Sequence, residues 1–138
     1  MSQADHPPPL SPVQLEIMNV VWSQGEVTVS EVWKEFLADR QISRGSVQTM
    51  IIRLEEKGWL SHREVGQAFL YKALYPRQAT QQRLALELAD GVFGGSTEGL
   101  IWSLLQSRGI SKAEAQRLRD MIDEAERKRK RKKRTKKS

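Results

Sequence analysis

Apolar positions recur at helical spacing through most of the chain, and one stretch alternates instead. Within residues 43–60, Val47, Met50, Ile51 and Leu54 fall at i, i+3, i+4 and i+7, which places four side chains on one helix face. The opposite face carries Arg44, Ser46, Gln48, Thr49 and Arg53; acids come only at Glu55 and Glu56, and Lys57-Gly58 supplies a stop. Ser43 is the expected N-cap. Upstream, Ser11-Pro12-Val13-Gln14 reads as a capping box with proline at the first helical position. It opens a helix with Leu15, Met18 and Trp22 on one face, ending near Ser23-Gln24-Gly25. A second box, Thr28-Val29-Ser30-Glu31, opens a short helix whose Val32, Trp33, Phe36 and Leu37 are expected to face inward. A break at 39–42 then leads into the Ser43 helix.

The alternating stretch comes next. Residues 59–65 and 68–74 read as strands around a Gly66-Gln67 turn, with Phe69, Tyr71 and Ala73 alternating with Leu70 and Lys72. Three helices with short connections followed by a hairpin make a winged helix-turn-helix over residues 11–76. A helix that buries one face and offers short or fork-shaped hydrogen-bonding groups near its N-terminus suits the DNA major groove. The 43–60 helix is therefore the candidate recognition helix. Its candidate contacts are Arg44, Ser46, Gln48, Thr49 and Arg53, with Arg63 and Lys72 of the hairpin directed at backbone phosphate.

From residue 77 the helical period returns. Leu84, Leu88 and Val92 mark one helix; Leu100, Ile101, Leu104 and Leu105 a second, with Trp102 on its flank; Leu118, Met121, Ile122 and Ala125 a third, opened by a Ser111–Glu114 box. Helices this short do not bury an apolar face alone, so they pack on the winged helix or on a second copy of themselves. Dimerisation through Leu84, Leu88, Leu100, Ile101, Leu104, Leu105, Leu118, Met121 and Ile122 is the favoured reading. A single winged helix makes few phosphate contacts, and a two-fold dimer reads two half-sites about 34 Å apart. The expected fold class is mainly α with a small β-hairpin: an N-terminal winged helix-turn-helix plus a C-terminal helical dimerisation region over 77–126.

Composition then excludes several classes. Without cysteine there is no disulfide and no thiolate metal site. His6 and His62 lack a ligand cluster in the sequence, so no metal or other cofactor is expected. Nor does the sequence hold a paired-carboxylate, nucleophile–base or phosphate-loop constellation, which argues against an enzyme. No apolar run approaches the ~20 residues that span a bilayer. The proline-containing leader, residues 1–10, does not read as a secretion signal and is expected to be disordered, with a cytoplasmic location the simplest expectation.

The formal charge of +6 misleads. Ten of the 23 basic residues lie in 127–138; setting them aside leaves 13 against 17 acids, a net of −4. Residues 1–76 hold seven basic and nine acidic side chains, a net of −2. Recognition must then rest on where a few cations sit, not on bulk charge. The tail 127–138 is expected to be disordered, and reads either as a solubilising extension or as a sequence-independent DNA attachment through counterion release; the acidic remainder favours the second.

Taken together, Leu10-Ser11-Pro12, Glu16-Ile17-Met18, Val21-Trp22, Thr28-Val29-Ser30-Glu31-Val32, the run from Val47-Gln48-Thr49-Met50 to Lys57-Gly58-Trp59-Leu60, Phe69-Leu70-Tyr71 and Ser111-Lys112-Ala113-Glu114 resemble the penicillinase-repressor family (BlaI and MecI, with CopY as a relative) over roughly residues 10–125. The resemblance implies a bacterial homodimeric repressor on an inverted repeat of TACA/TGTA half-sites. In well-known members a membrane sensor metalloprotease triggers cleavage in the dimerisation region. Three departures stand out. Gly45 and Gln48 replace a Lys and an Arg of close relatives, which alters operator preference, and Gln48 can bond adenine in a bidentate way. Ser103-Leu104 aligns with the scissile Asn-Phe bond of the methicillin-type repressors, so identical processing is not expected. The paired-cysteine motif of the copper-responsive branch is missing. The competing function is a winged-helix protein-interaction adaptor that binds nucleic acid non-specifically through its tail.

Overall fold

The computed structural model describes residues 7–137. Its contacts divide into one unit running to Ala85 and another from Leu86 onward. In the first unit, helix α1 (Pro12–Gln24) is opened by a reciprocal box: Gln14 N–H donates to Ser11 Oγ at 3.2 Å, and Ser11 N–H donates to Gln14 Oε1 at 2.9 Å. It buries Ile17, Met18 and Val21, whereas Leu15 and Trp22 sit at its margin. The expected face thus holds only at Met18. The doublets Ile17-Met18 and Val20-Val21 let two neighbouring stripes compete, and packing decides between them.

Gly25, at φ +91°, turns the chain into strand β1 (Glu26–Val27). Thr28 then caps α2 (Val29–Leu37) with a second reciprocal box. Val29, Val32 and Phe36 are buried and Trp33 is half-buried. Leu37, expected to face inward, is 44% exposed, because Phe36 takes the inward position and the next residue lies about 100° round the helix. Helix α3 (Arg44–Glu56) follows, with Ser43 Oγ accepting from Ser46 N–H at 3.1 Å. Val47, Ile51 and Leu54 are fully buried and Met50 is partly so.

Strands β2 (Leu60–Val65) and β3 (Ala68–Ala73) pair antiparallel, and β1 adds to the free side of β3, giving the order β1-β3-β2. Gly66 has φ +63° and Gln67 is not left-handed, which fits a type II′ turn with glycine first. The core joins Ile17, Met18 and Val21 to Val27, Val32, Phe36, Val47, Ile51, Leu54, Trp59, Leu60 and Tyr71. Each fully buried aliphatic side chain stabilises by roughly 1.5–3 kcal/mol.

Residues 7–10 correct the expectation of a disordered leader; residues 1–6 lie outside the described ones. Pro7 is buried and Leu10 packs on the core. Proline carbonyls have no neighbouring N–H to satisfy them in this strap, and three side chains do so. Arg83 reaches Pro7 O at 3.5 Å, Trp59 Nε1 donates to Pro8 O at 2.9 Å, and Lys57 Nζ donates to Pro9 O at 3.0 Å.

Helix α4 (Arg77–Val92) starts where the second region was expected to start, yet its first turns belong to the winged helix. Arg77 donates to Asn19 O at 3.0 Å and Ser23 Oγ at 2.8 Å, and Thr80 is buried. Leu84, an expected dimer contact, therefore falls in the first unit and is half-buried. The second unit contains α5 (Thr97–Arg108) and α6 (Lys112–Lys137). The expectation of a disordered tail is also corrected over 127–137, where α6 runs on through Lys137; Ser138 lies outside the described residues. Lys and Arg are good helix formers, cations are favourable near a helix C-terminus, and Arg127 pairs with Glu124 at 2.8 Å.

Candidate nucleic-acid interface

All five candidate residues on α3 are exposed: Arg44, Ser46, Gln48, Thr49 and Arg53. They are not equivalent. Thr49 Oγ1 donates to Gly45 O at 3.0 Å, so its hydrogen is committed within the helix; outward it offers acceptor lone pairs and a methyl group. Ser46 Oγ accepts from Ser43 Oγ at 2.8 Å and keeps its own hydrogen to donate. Arg44 Nε donates to Ser30 Oγ at 3.0 Å, which lays the guanidinium against the start of α2. Gln48 projects into a groove of about 350 Å³ between the start of α2, the start of α3 and the wing, which Ser30, Gln67 and Phe69 also line. Arg53 makes no ion pair with Glu56 among the described residues, which leaves its charge available.

Three bonds set the pose of α3. Trp33 Nε1 donates to Ile42 O at 2.8 Å, fixing the turn just before the Ser43 cap. The Ser43 cap itself holds the first turn. His62 Nδ1 on the wing bonds Glu55 Oε2 at 2.6 Å, and the imidazole stacks on Phe69 with centroids 4.6 Å apart. His62, for which the sequence offered no ligand cluster, is a tether between the wing and the end of α3.

The wing cations are placed differently from the α3 residues. Directly paired residues of antiparallel strands share a sheet face, so Phe69, Tyr71, His62 and Glu64 lie on one side and Ser61, Arg63, Leu70 and Lys72 on the other. Phe69 and Tyr71 line the groove beside α3; Arg63 and Lys72 point away from it. There Glu26, cross-strand partner of Lys72, takes Arg63 in a bidentate pair at 2.8 and 2.9 Å. The Arg63 hydrogen bond, then its charge and that of Lys72, hold the Glu26 carboxyl below its ordinary range despite some desolvation; Glu26 in turn raises Arg63. Periodicity could not signal this, because β1 has two residues and no period to read. Ser30, Gln67 and Phe69 likewise line the groove without having been singled out in the sequence; the capping box and the turn motif explained two of them completely.

The expected dimer positions are largely open to solvent. Leu88, Ile101, Leu104, Met121 and Ile122 are exposed, and Leu100, Leu105 and Leu118 half-buried. Between α5 and α6 lies an apolar groove of about 400 Å³, lined by Ile101, Leu105, Ile110, Leu118, Met121 and Ile122 among others. Ser103 and Leu104 are both exposed on α5. Among the described residues no helix is long and apolar enough to cross a membrane.

Three helices, a short third strand and a wing, with the polar face of α3 left open, define a winged helix-turn-helix DNA-binding protein. Residues 10–124 match the family described as penicillinase repressor, and the chain belongs to that family. It is 26% identical to the penicillinase repressor of Bacillus licheniformis over 117 residues, which are 85% of this chain and 91% of that one. Identity to the methicillin resistance regulatory protein MecI of Staphylococcus aureus (strain N315) is 20% over 114 residues, 83% and 93% of the two chains. The solution structure of the DNA-binding domain of the repressor BlaI aligns at 33% identity with a TM-score of 0.48, covering 52% of this chain and 88% of that one. The monomeric form of Bacillus licheniformis BlaI in complex with the blaP half-operator aligns at 33% identity and a TM-score of 0.47, over 53% and 89%.

Proposed function

We propose that this protein is a sequence-specific transcriptional repressor that acts as a homodimer on an inverted-repeat operator. The observation that carries the reading is the exposed polar face of α3, free of acids before Glu55 and held in place by Trp33 and the Ser43 cap. Gln48 and Thr49 read base edges, Ser46 contacts base or phosphate, and Arg44 and Arg53 hold the backbone. Arg63 and Lys72 reach phosphate only at the expense of Glu26, so they take the smaller part.

The open apolar faces of α5 and α6 support a second copy as the partner that covers them, since monomeric proteins rarely leave such contiguous surface exposed. Derepression by a membrane sensor metalloprotease would cut near Ser103 and Leu104 and remove part of that face. Both residues sit in regular helix, so α5 must unwind locally first.

The test is a gel shift on an inverted repeat of TACA/TGTA half-sites against scrambled duplex at moderate salt. Preference for the repeat is expected, with mobility that fits two protomers. Equal binding to both duplexes overturns the reading.

A further inference from the structure

The end of α6 is unlike the rest of the chain. Residues 128–133 are six consecutive cations, all exposed, and no acid follows Glu126. They continue a helix that begins at Lys112, so they form an extended arm, and the family match stops at residue 124, before it. The apolar stripe Leu118–Ile122–Ala125 runs on, at i+4 and i+7 from Ala125, into Arg129 and Lys132. The apolar positions that a second copy could cover thus end at Ala125, and the arm beyond it offers only charge.

Charge density says what fits it. A helix rises 1.5 Å per residue, so the arm presents a cation about every 1.5 Å over a length of ~9 Å. These cations point all round the helix, so about three of the six face any one partner; duplex DNA, with one phosphate charge per ~1.7 Å of axis against ~3.4 Å for a single strand, holds the denser counterion layer and releases more per contact, about 0.9 against 0.7 in slope. The stretch 126–135 holds no apolar side chain to sink into a bilayer interface. We propose that residues 128–133 are a second, sequence-independent site for the sugar-phosphate backbone of double-stranded DNA, separate from the base-reading face of α3. The count per complex rests on the dimer proposed above; the site itself does not.

The test replaces Lys128→Gln, Arg129→Gln, Lys130→Gln, Arg131→Gln, Lys132→Gln and Lys133→Gln together in the full chain, which keeps good helix formers while removing six charges. Fluorescence anisotropy between 50 and 200 mM salt then compares random duplex, the inverted repeat, single-stranded DNA and phosphatidylglycerol vesicles. Each phosphate released flattens the log K against log salt slope by about 0.9. Three contacts per protomer, six per dimer, flatten it by about 5 and remove a salt-dependent change on the order of 10³ over that range. The ratio of operator to random affinity should not move. A slope altered by less than about 1, or a larger loss on vesicles or single strands than on duplex, overturns the proposal. The two readings fail separately: a natural chain without operator preference whose slope still flattens on substitution sinks only the repressor reading, and intact preference with an unchanged slope sinks only the arm.

Discussion

Glu26→Gln is expected to strengthen DNA binding. In the free protein the Glu26 carboxylate holds Arg63 through two hydrogen bonds and lies across the ladder from Lys72, so it offsets both wing cations. Glutamine keeps the shape and one acceptor but no charge, and residues 1–76 go from a net of −2 to −1. If both cations then reach phosphate, each adds about 0.9 to the salt slope, hence ~1.8 per protomer and ~3.6 for a dimer. Anisotropy titrations from 50 to 200 mM salt read this directly. The gain should be equal on operator and random duplex, because Arg63 and Lys72 lie on the sheet face away from Gln48. Arg63→Ala in the natural background should change the slope by less than about 0.5, since that charge is already matched. In the Glu26→Gln background the same change should remove about half of the gain. A loss near 0.9 per protomer from Arg63→Ala alone would show that the guanidinium leaves Glu26 for phosphate and would refute the reasoning.

Gly45→Lys should add a phosphate contact, because a Cβ there meets nothing within 4 Å; a slope steeper by ~0.9 per protomer and helix stabilisation of about 0.5–1 kcal/mol are expected from titration and urea denaturation. Gln48→Ala or Thr49→Ala should lower operator preference by ~1–3 kcal/mol at the contacted base pair and leave random-duplex affinity nearly unchanged; equal losses on both would show that neither reads bases. Ile122→Glu, at a side chain 58% exposed on α6, should yield monomers in sedimentation with a folded winged helix, and unaltered mass would remove Ile122 from the interface. Acid should destabilise the chain through Glu26 and Glu124, whose carboxyls are held below the ordinary 4.5 first by hydrogen bonds from Arg63 and Arg127. The unfolded chain then binds more protons, so this stability is present above about pH 4.5 and lost as pH falls through the lowered values. Melting temperature against pH, with Glu26→Gln showing a smaller drop, checks it.

Local signals carried the first unit because its boundaries are made locally. The Ser11, Thr28 and Ser43 caps, proline at the first position of α1 and the Gly66 turn are each satisfied within three residues of sequence. What escaped depends on distant partners. The inward stripe of α1 is chosen by α2 and α3, Leu37 is displaced by Phe36, and residues 7–10 are ordered by Lys57, Trp59 and Arg83, 48, 51 and 76 residues from their partners. Composition also misjudged the tail: a block of like charge suggested disorder, but helix propensity and the Glu124–Arg127 pair act in the other direction. For the site, exposure of the α3 residues was legible from periodicity. Neutralisation of Arg63 was not, because it needed β1.

The tryptophans join these two levels. Trp59 lies in the core, and Trp22 and Trp33 pack against it. A buried indole N–H must still find an acceptor, and each finds the carbonyl of a connection: Tyr75 before α4, Ile42 before α3, Pro8 in the N-terminal strap. The same side chain thus supplies burial and fixes a loop. That coupling matters most at Ile42, where the loop sets the pose of α3. With a net charge of −2 in residues 1–76, this surface draws little undirected attraction to phosphate, so its discrimination must come from pose. Undirected attraction falls instead to an arm on another helix, and affinity and selectivity can then be altered separately.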